Sequence, residues 1–336
     1  MATIRDIARE TGLSIATVSK CLNGQQVKPE NKEAIFAAVD RLHYLPNGTA
    51  RSMRTQSNKL IPIIVPTMAH VMIPETVMEC SRLLIKQGYY PTVCVTGGDP
   101  ELEKSYLLKL ASHQMEGILS MPTCTDEKIY RCLDVNGIPY VFFEQDVPGM
   151  EANTVHLSGD VAIAALAEAA RDAGHRLGGA ILGHKDSQAC QRQYGKIKSI
   201  INSYGYYPSD DYVIFTDFTV KGGQEAMSRL LALPEPPSIV FCLGEELTVG
   251  AYGSIMHHGL KIPDNIGLIG IQNTSVLDAV SPELKISALV EPTDTLAKVC
   301  VDRLLELIRL KSEGKNVTEN IIHKKIPLEY IRGDTI

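Results

Sequence analysis

Two hydrophobic periods divide the chain. Up to about residue 45 the apolar residues recur at helical spacing, and from residue 60 they come in short β-branched runs separated by helical stretches. Ile4, Ile7 and Ala8 form a stripe at i, i+3 and i+4 that predicts a first helix. Gly12 follows, where a sharp turn needs a residue tolerant of positive φ. Ser14 is placed to cap a second helix, with Val18 and Leu22 pointing inward and Ile15, Ala16, Ser19 and Lys20 on the other face. Asn23 and Gly24 supply a stop signal. Two short helices joined by a tight turn over residues 3–23 read as a helix-turn-helix, which lays its second helix in the DNA major groove. The alternative for this segment alone is an ordinary helical hairpin in a core. Pro29, the first-turn acid Glu33 and the face Ile35, Val39 and Leu42 predict a third helix ending near His43, which completes a small three-helix domain. Residues 44–46 break it, and Asn47 can cap a short segment over 48–54. So short a segment, containing a glycine, falls below the ~12–15 residues an isolated helix needs in water, so it is expected to be helical only when something orders it. Residues 56–58 read as linker.

Beyond residue 60 the runs at 61–65, 92–95, 117–121 and 139–143 predict strands, with helices near 75–87, 101–112 and 126–135 between them. A second series predicts a helix over 160–173, a strand at 180–182, a helix near 189–203, a strand at 212–215 and a helix over 221–232. It continues with strand 239–243, helix 246–258 and strand 266–269. β-Branched runs joined by crossover helices mean parallel sheets covered on both faces. The strands are too many for one modest sheet, so two doubly wound α/β subdomains are expected. Ligands in such sheets sit beyond the carboxyl ends of the strands, which directs attention to 67–72, 121–123, 144–146, 183–192, 244–245 and 272–273.

Composition sharpens this picture. The 336 residues suggest about two domains, and 44% hydrophobic residues fit a soluble globular chain with a full core. No apolar run approaches the ~20 residues of a membrane span, and the charged N-terminus lacks the apolar core of a signal peptide. The eight cysteines show no CxxC and no metal-type clustering, and read as reduced thiols of a cytoplasmic protein with no metal and no cofactor. The net charge of −6 hides an asymmetry: residues 1–59 carry nine basic and five acidic side chains, so a basic head precedes an acidic body. The stretch 95–100, VTGGDP, is neither GxGxxG nor a Walker loop, and HExxH and GxSxG do not occur, so an enzyme is not expected.

TIRDIARETGLSIATVSKCLNG, followed by LHYLPNGTARSMR, resembles the DNA-binding head and hinge of the lac repressor family of bacterial transcription regulators. The segments DAGHRLGGAILG (172–183), GLKIPD followed by IGLIG, and SPELKISALVEP (281–292) resemble the family's body. The resemblance implies an all-α helix-turn-helix head over 1–46, a hinge helix and linker over 47–59, and a body over 60–336 like periplasmic sugar-binding proteins. Its N-subdomain would comprise about 60–155 and 288–312, and its C-subdomain about 156–287 and 313–336. On the DNA side, Ile15, Ala16 and Lys20 fall on the family's base-reading positions, and Thr3, Ser14, Thr17, Ser19 and Asn23 on backbone-contacting or capping ones. Ile15 and Ala16 suit a thymine methyl and Lys20 suits guanine O6 and N7. The family more often has Arg at position 20, and Lys lacks its bidentate fork. In the hinge, Ala50 and Met53 match residues that enter the minor groove, with Asn47, Arg51 and Arg54 completing the DNA set.

On the effector side the resemblance implicates Met72, Ile73, Glu144, Arg192, Gly244, Glu245 and Gln272. Several depart from the family: Met72 and Ile73 stand where aromatics often stack on a ring, Gly244 and Glu245 where an Asn-Asp pair is usual, and Gln272 where an Asp is usual. The implied partners are double-stranded operator DNA, a second copy of the chain, and a small-molecule effector such as a sugar or sugar phosphate, with no membrane. Two other readings share these features: the same regulator controlled by a protein co-repressor, and a solute-binding receptor, which accounts for the body but leaves the head unexplained.

Overall fold

The computed structural model describes residues 2–22, 25–44, 58–112, 115–185, 190–191, 194–195, 198–199, 202, 210–272, 276, 279, 282–315 and 321–336. The chain divides into two compact units, Met1–Asn58 and Lys59–Ile336.

In the first unit, α1 (Ile4–Thr11), α2 (Ile15–Leu22) and α3 (Pro29–Arg41) enclose a small core of Ile7, Ala8, Val18, Cys21, Ile35 and Ala38. Helix α1 is started by Thr3 and Asp6: the Thr3 N–H donates to the Asp6 carboxylate at 2.9 Å and the Thr3 hydroxyl does so at 2.7 Å. It ends at Gly12 with φ 66°, a conformation costly for a side-chain-bearing residue. Ser14 caps α2, its Oγ accepting the Thr17 N–H at 3.1 Å. The expectation put Leu22 inside beside Val18. Instead Cys21 is the buried partner and Leu22 packs at the edge, because i+3 falls nearer the centre of this narrow core than i+4 does.

The second unit holds two six-stranded sheets. The first contains β1 (Leu60–Val65), β2 (Tyr90–Val95), β3 (Ile118–Ser120), β4 (Tyr140–Phe143), β5 (Thr154–Ser158) and β11 (His323–Pro327), in the order β11-β5-β4-β3-β1-β2, all parallel. The second contains β6 (Gly178–Leu182), β7 (Val213–Phe215), β8 (Ile239–Cys242), β9 (Gly267–Ile271), β10 (Ser287–Val290) and β12 (Glu329–Ile331), in the order β12-β10-β9-β8-β6-β7, with β12 antiparallel. Side chains alternate across the first sheet. Ile61, Ile63, Val65, Val141 and Phe143 face a core under α4 (Met72–Lys86) and α10 (Thr293–Ser312), while Ile64, Tyr140 and Phe142 face a second core with Leu107 of α5 (Pro100–Ala111) and Tyr130 of α6 (Glu127–Val135). Both faces are covered, as the apolar runs require.

The second lobe is built the same way, with α7 (Asp160–Asp172), α8 (Val220–Leu231) and α9 (Glu245–His257). Glycines let α8 and α9 approach closely: a Cβ at Gly250 would lie 2.1 Å from the Val220 carbonyl oxygen, and one at Gly223 would lie 2.5 Å from that of Leu247.

The chain crosses between the lobes after β5 and after β10, and a third time at Leu328. The expectation placed the third crossing after about residue 312 and gave 313–336 to the second lobe. In fact α10 is followed by β11, which extends the first sheet beside β5. Its sequence, HKKIP, is polar and mostly exposed, as an edge strand is, so hydrophobic patterning does not reveal it. Strand β5 (TVHLS) was not predicted either: it lies inside the sheet, between β11 and β4, but alternates polar and apolar residues and so lacks an unbroken apolar run. Among the described residues no helix is long and apolar enough to cross a membrane.

Candidate functional site

Helix α2 presents one uncovered face. Ile15, Ala16 and Lys20 are exposed, Thr17 and Ser19 are half-buried, and Val18 and Cys21 on the opposite side anchor the helix. A large apolar side chain such as Ile15, 48% exposed at the first turn of a helix rooted in a core, is available to touch a flat apolar group. Lys20 lies five residues on, at the last turn. The capping residues Thr3 and Ser14 are exposed at the starts of α1 and α2, beside that face in sequence. Asn23, Asn47, Ala50, Arg51, Met53 and Arg54 lie outside the described residues, and so does Arg192.

The second site is a cavity of about 290 Å³ between the lobes. It forms where the doubly wound topology predicts, beyond the carboxyl ends of the strands, on the loops after β1, β3, β4, β6, β8 and β10. Its apolar lining includes Met72, Ile73, Met121, Leu243 and Phe218, and its polar lining includes Thr67, His70, Thr123, Glu144, Gln145 and Glu291. Such a lining, mostly apolar with a few convergent polar groups, suits an organic small molecule. Among the described residues no group of three or more His, Cys, Asp or Glu is arranged to hold a metal ion.

Met72, Ile73 and Glu144 line the cavity, but each also works in the frame. Met72 and Ile73 form the buried first turn of α4. Glu144 adopts φ 59° directly after β4, and its carboxylate accepts the Leu157 N–H. Gly244, Glu245 and Gln272 are near the strand ends but do not line it. Gly244 serves another purpose: with Gly183 it leaves room for Phe218, whose ring would lie 3.0 Å from a Cβ at 244 and 2.0 Å from one at 183. Glu245 is buried at the start of α9; burial raises the Glu75 pKa and the Glu245 charge adds to that rise, while the same charge opposes the lowering of His70 by burial. The Gln272 N–H donates to the Leu289 carbonyl at 2.9 Å.

Three further residues shape the cavity. Phe218 comes from the loop after β7, and its ring meets that of His70 edge-on with centroids 4.3 Å apart. Burial holds the His70 imidazole well below its usual range, to about 4, with Glu245 opposing, so the ring is neutral at physiological pH. Glu103 of α5 is fully buried beneath the loop after β3, accepting the N–H groups of Thr123 and Cys124 at 2.9 and 3.0 Å and the Tyr130 hydroxyl at 2.5 Å. Burial raises its pKa and these three bonds oppose the rise. His70 lies in a segment the strand-end rule marks. Phe218 and Glu103 gave no such signal, although glycines at two neighbouring strand ends, 183 and 244, are a sign that a ring comes close.

Residues 3–47 match the model for bacterial regulatory proteins of the lacI family, and residues 167–336 match the periplasmic binding protein-like domain. The chain is 28% identical over 321 residues to the HTH-type transcriptional repressor PurR of Vibrio campbellii, covering 95% of this chain and 96% of that one. It is 28% identical over 322 residues to the ribose operon repressor of Haemophilus influenzae, covering 94% of each. A crystal structure of the lac repressor dimer bound to operator and the anti-inducer ONPF shares the fold, with a TM-score of 0.83 at 18% identity over 99% of this chain and 98% of that one.

Proposed function

Because the chain belongs to the lacI family of bacterial regulatory proteins, we propose that it is a ligand-controlled transcriptional repressor that binds a pseudo-palindromic operator as a homodimer in the cytoplasm. The observation that carries this reading is the α2 face: Ile15, Ala16 and Lys20 stand uncovered on a helix whose other side is anchored in the head core. Ile15 and Ala16 read thymine methyls and Lys20 reads guanine, while Thr3, Ser14, Thr17, Ser19 and Asn23 position the head on the phosphates. Asn47, Ala50, Arg51, Met53 and Arg54 form the hinge, with Met53 the apolar wedge in the minor groove.

The body, residues 60–336, binds the effector between its lobes and joins the two copies. Met72, Ile73, Glu144 and Arg192 contribute to the effector site together with His70 and Phe218, and Gly244, Glu245 and Gln272 support it from behind. The homodimer is supported by the uncovered apolar side chains of the β2 edge strand, Tyr90, Val93 and Val95, and of the outer face of α4, Met78 and Ile85.

Footprinting on genomic fragments tests the reading. It predicts protection over two half-sites related by a dyad, and protection of a single isolated half-site would contradict the dimer. A thermal-shift screen of sugars, sugar phosphates and nucleosides against the same protein tests the effector, since a tight ligand raises apparent stability by mass action.

A further inference from the structure

One contact across the cleft joins elements from both lobes. Glu246 stands in the first turn of α9, on the second lobe, and Val71 immediately precedes α4, on the first. The Val71 amide, one of the donors a helix start leaves without an intrahelical acceptor, donates to Glu246 Oε1 at 3.0 Å. A single carboxylate thus lies where the N-termini of two helices from opposite lobes come together, and its charge offsets the partial positive charge of both. The bond spans 175 positions of sequence, so it reports lobe closure rather than local folding.

The residue before Val71 is His70, which lines the cavity. Its ring is held at 86° to that of Phe218, a second-lobe side chain, which itself fits only because residues 183 and 244 lack a Cβ. The His70 Nδ1 and Glu246 Oε2 are both shut off from solvent, and neither has a hydrogen-bond partner among the described residues. A polar atom kept dry and unpaired is costly, and the His70 Nδ1 is the one whose side chain lines a cavity large enough for a ligand.

We propose that Glu246 is a positioning residue of the effector cleft: it ties the 70–71 strap to the second lobe and so seats the His70 imidazole against Phe218, with Nδ1 free for an uncharged hydrogen-bonding group of the effector. The ligand class follows from the chemistry of the ring. The Nδ1 of a neutral imidazole gives or takes one hydrogen bond, depending on the tautomer, so His70 can meet a hydroxyl, amide or ring nitrogen at that point without pairing charges. The role of His70 toward a ligand rests on the cleft being the effector site, whereas the strap stands on the contacts alone.

Hydrogen–deuterium exchange on the ligand-free 336-residue chain tests the strap with three proteins: wild type, Glu246→Ala and Glu246→Gln. Glu246→Ala removes the acceptor and is expected to speed exchange of a peptide covering 67–75 by about tenfold, while Glu246→Gln keeps an acceptor oxygen and stays near wild type. Peptides from β3 and β4 should exchange alike in all three, which shows that the fold is kept. Exchange at 67–75 unchanged by Ala, raised equally by Gln, or raised throughout the body would each overturn the proposal. Because no effector is present, failure of the strap is distinguished from failure of the effector reading, which would appear instead as wild-type operator affinity indifferent to every sugar, sugar phosphate and nucleoside tried.

Discussion

Lys20 shows how much one residue can reveal. Its exposure on α2 and its distance from the head core mean that Lys20→Ala leaves the head folded and changes only what the helix reads. Selection from random duplexes with the variant should show relaxed preference at one base position, at a cost of roughly 1–3 kcal/mol on the preferred site. A uniform loss across all sequences would assign Lys20 to the phosphates instead. His70 makes a prediction of a different kind. Its folded pKa of about 4 lies below the ordinary 6.5, so the fold holds it neutral while the unfolded chain takes up a proton. Its contribution to stability is therefore complete above about pH 6.5 and is lost as the pH falls toward about 4. Melting curves at pH 7 and pH 5 should show a larger drop for wild type than for His70→Phe, and equal drops would contradict the assignment. The exposed face of α2 was legible because a surface helix over a small core has one inward face, although Cys21 and not Leu22 proved to be the buried partner of Val18. The effector residues were less so: Gly244 marks the site by making room for a ring that sequence spacing does not connect to it.

The helices of the second lobe offer a paired test. Gly250 and Gly253 lie three residues apart on α9, yet a Cβ at 250 would meet the backbone of α8 and a Cβ at 253 would meet nothing within 4 Å. Gly250→Ala should therefore destabilise by about 1–3 kcal/mol through overpacking, and Gly253→Ala should stabilise by about 0.5–1 kcal/mol through helix propensity. Urea titrations of the two variants read both signs directly. The sequence pattern located most of the crossover helices and buried strands, because a parallel strand covered on both faces is an unbroken apolar run, but it did not mark β10 or α10. Nor did it mark β5, β11 or β12: β11 and β12 are exposed sheet-edge strands, β10 is a four-residue run, and β5 alternates polar and apolar residues although it lies inside the sheet.

At the scale of the molecule, the body's apolar edge and the cleft make separate demands. Replacing Met78 and Ile85 by Glu puts two charges on the outer face of α4, and sedimentation should show the dimer dissociating while the far-ultraviolet circular dichroism is retained. Unaltered sedimentation would move the dimer contact to another face. The division into a basic head and an acidic body was visible from charge alone, but the third crossing between the lobes was not, since it depends on a late return to the first sheet. The central claim is that this chain reads DNA sequence, and it is tested most directly by competition binding at fixed physiological salt between the footprinted operator and a scrambled duplex of equal length. The account predicts tighter binding to the operator by about 10³-fold or more, and equal affinity for the two duplexes would contradict it.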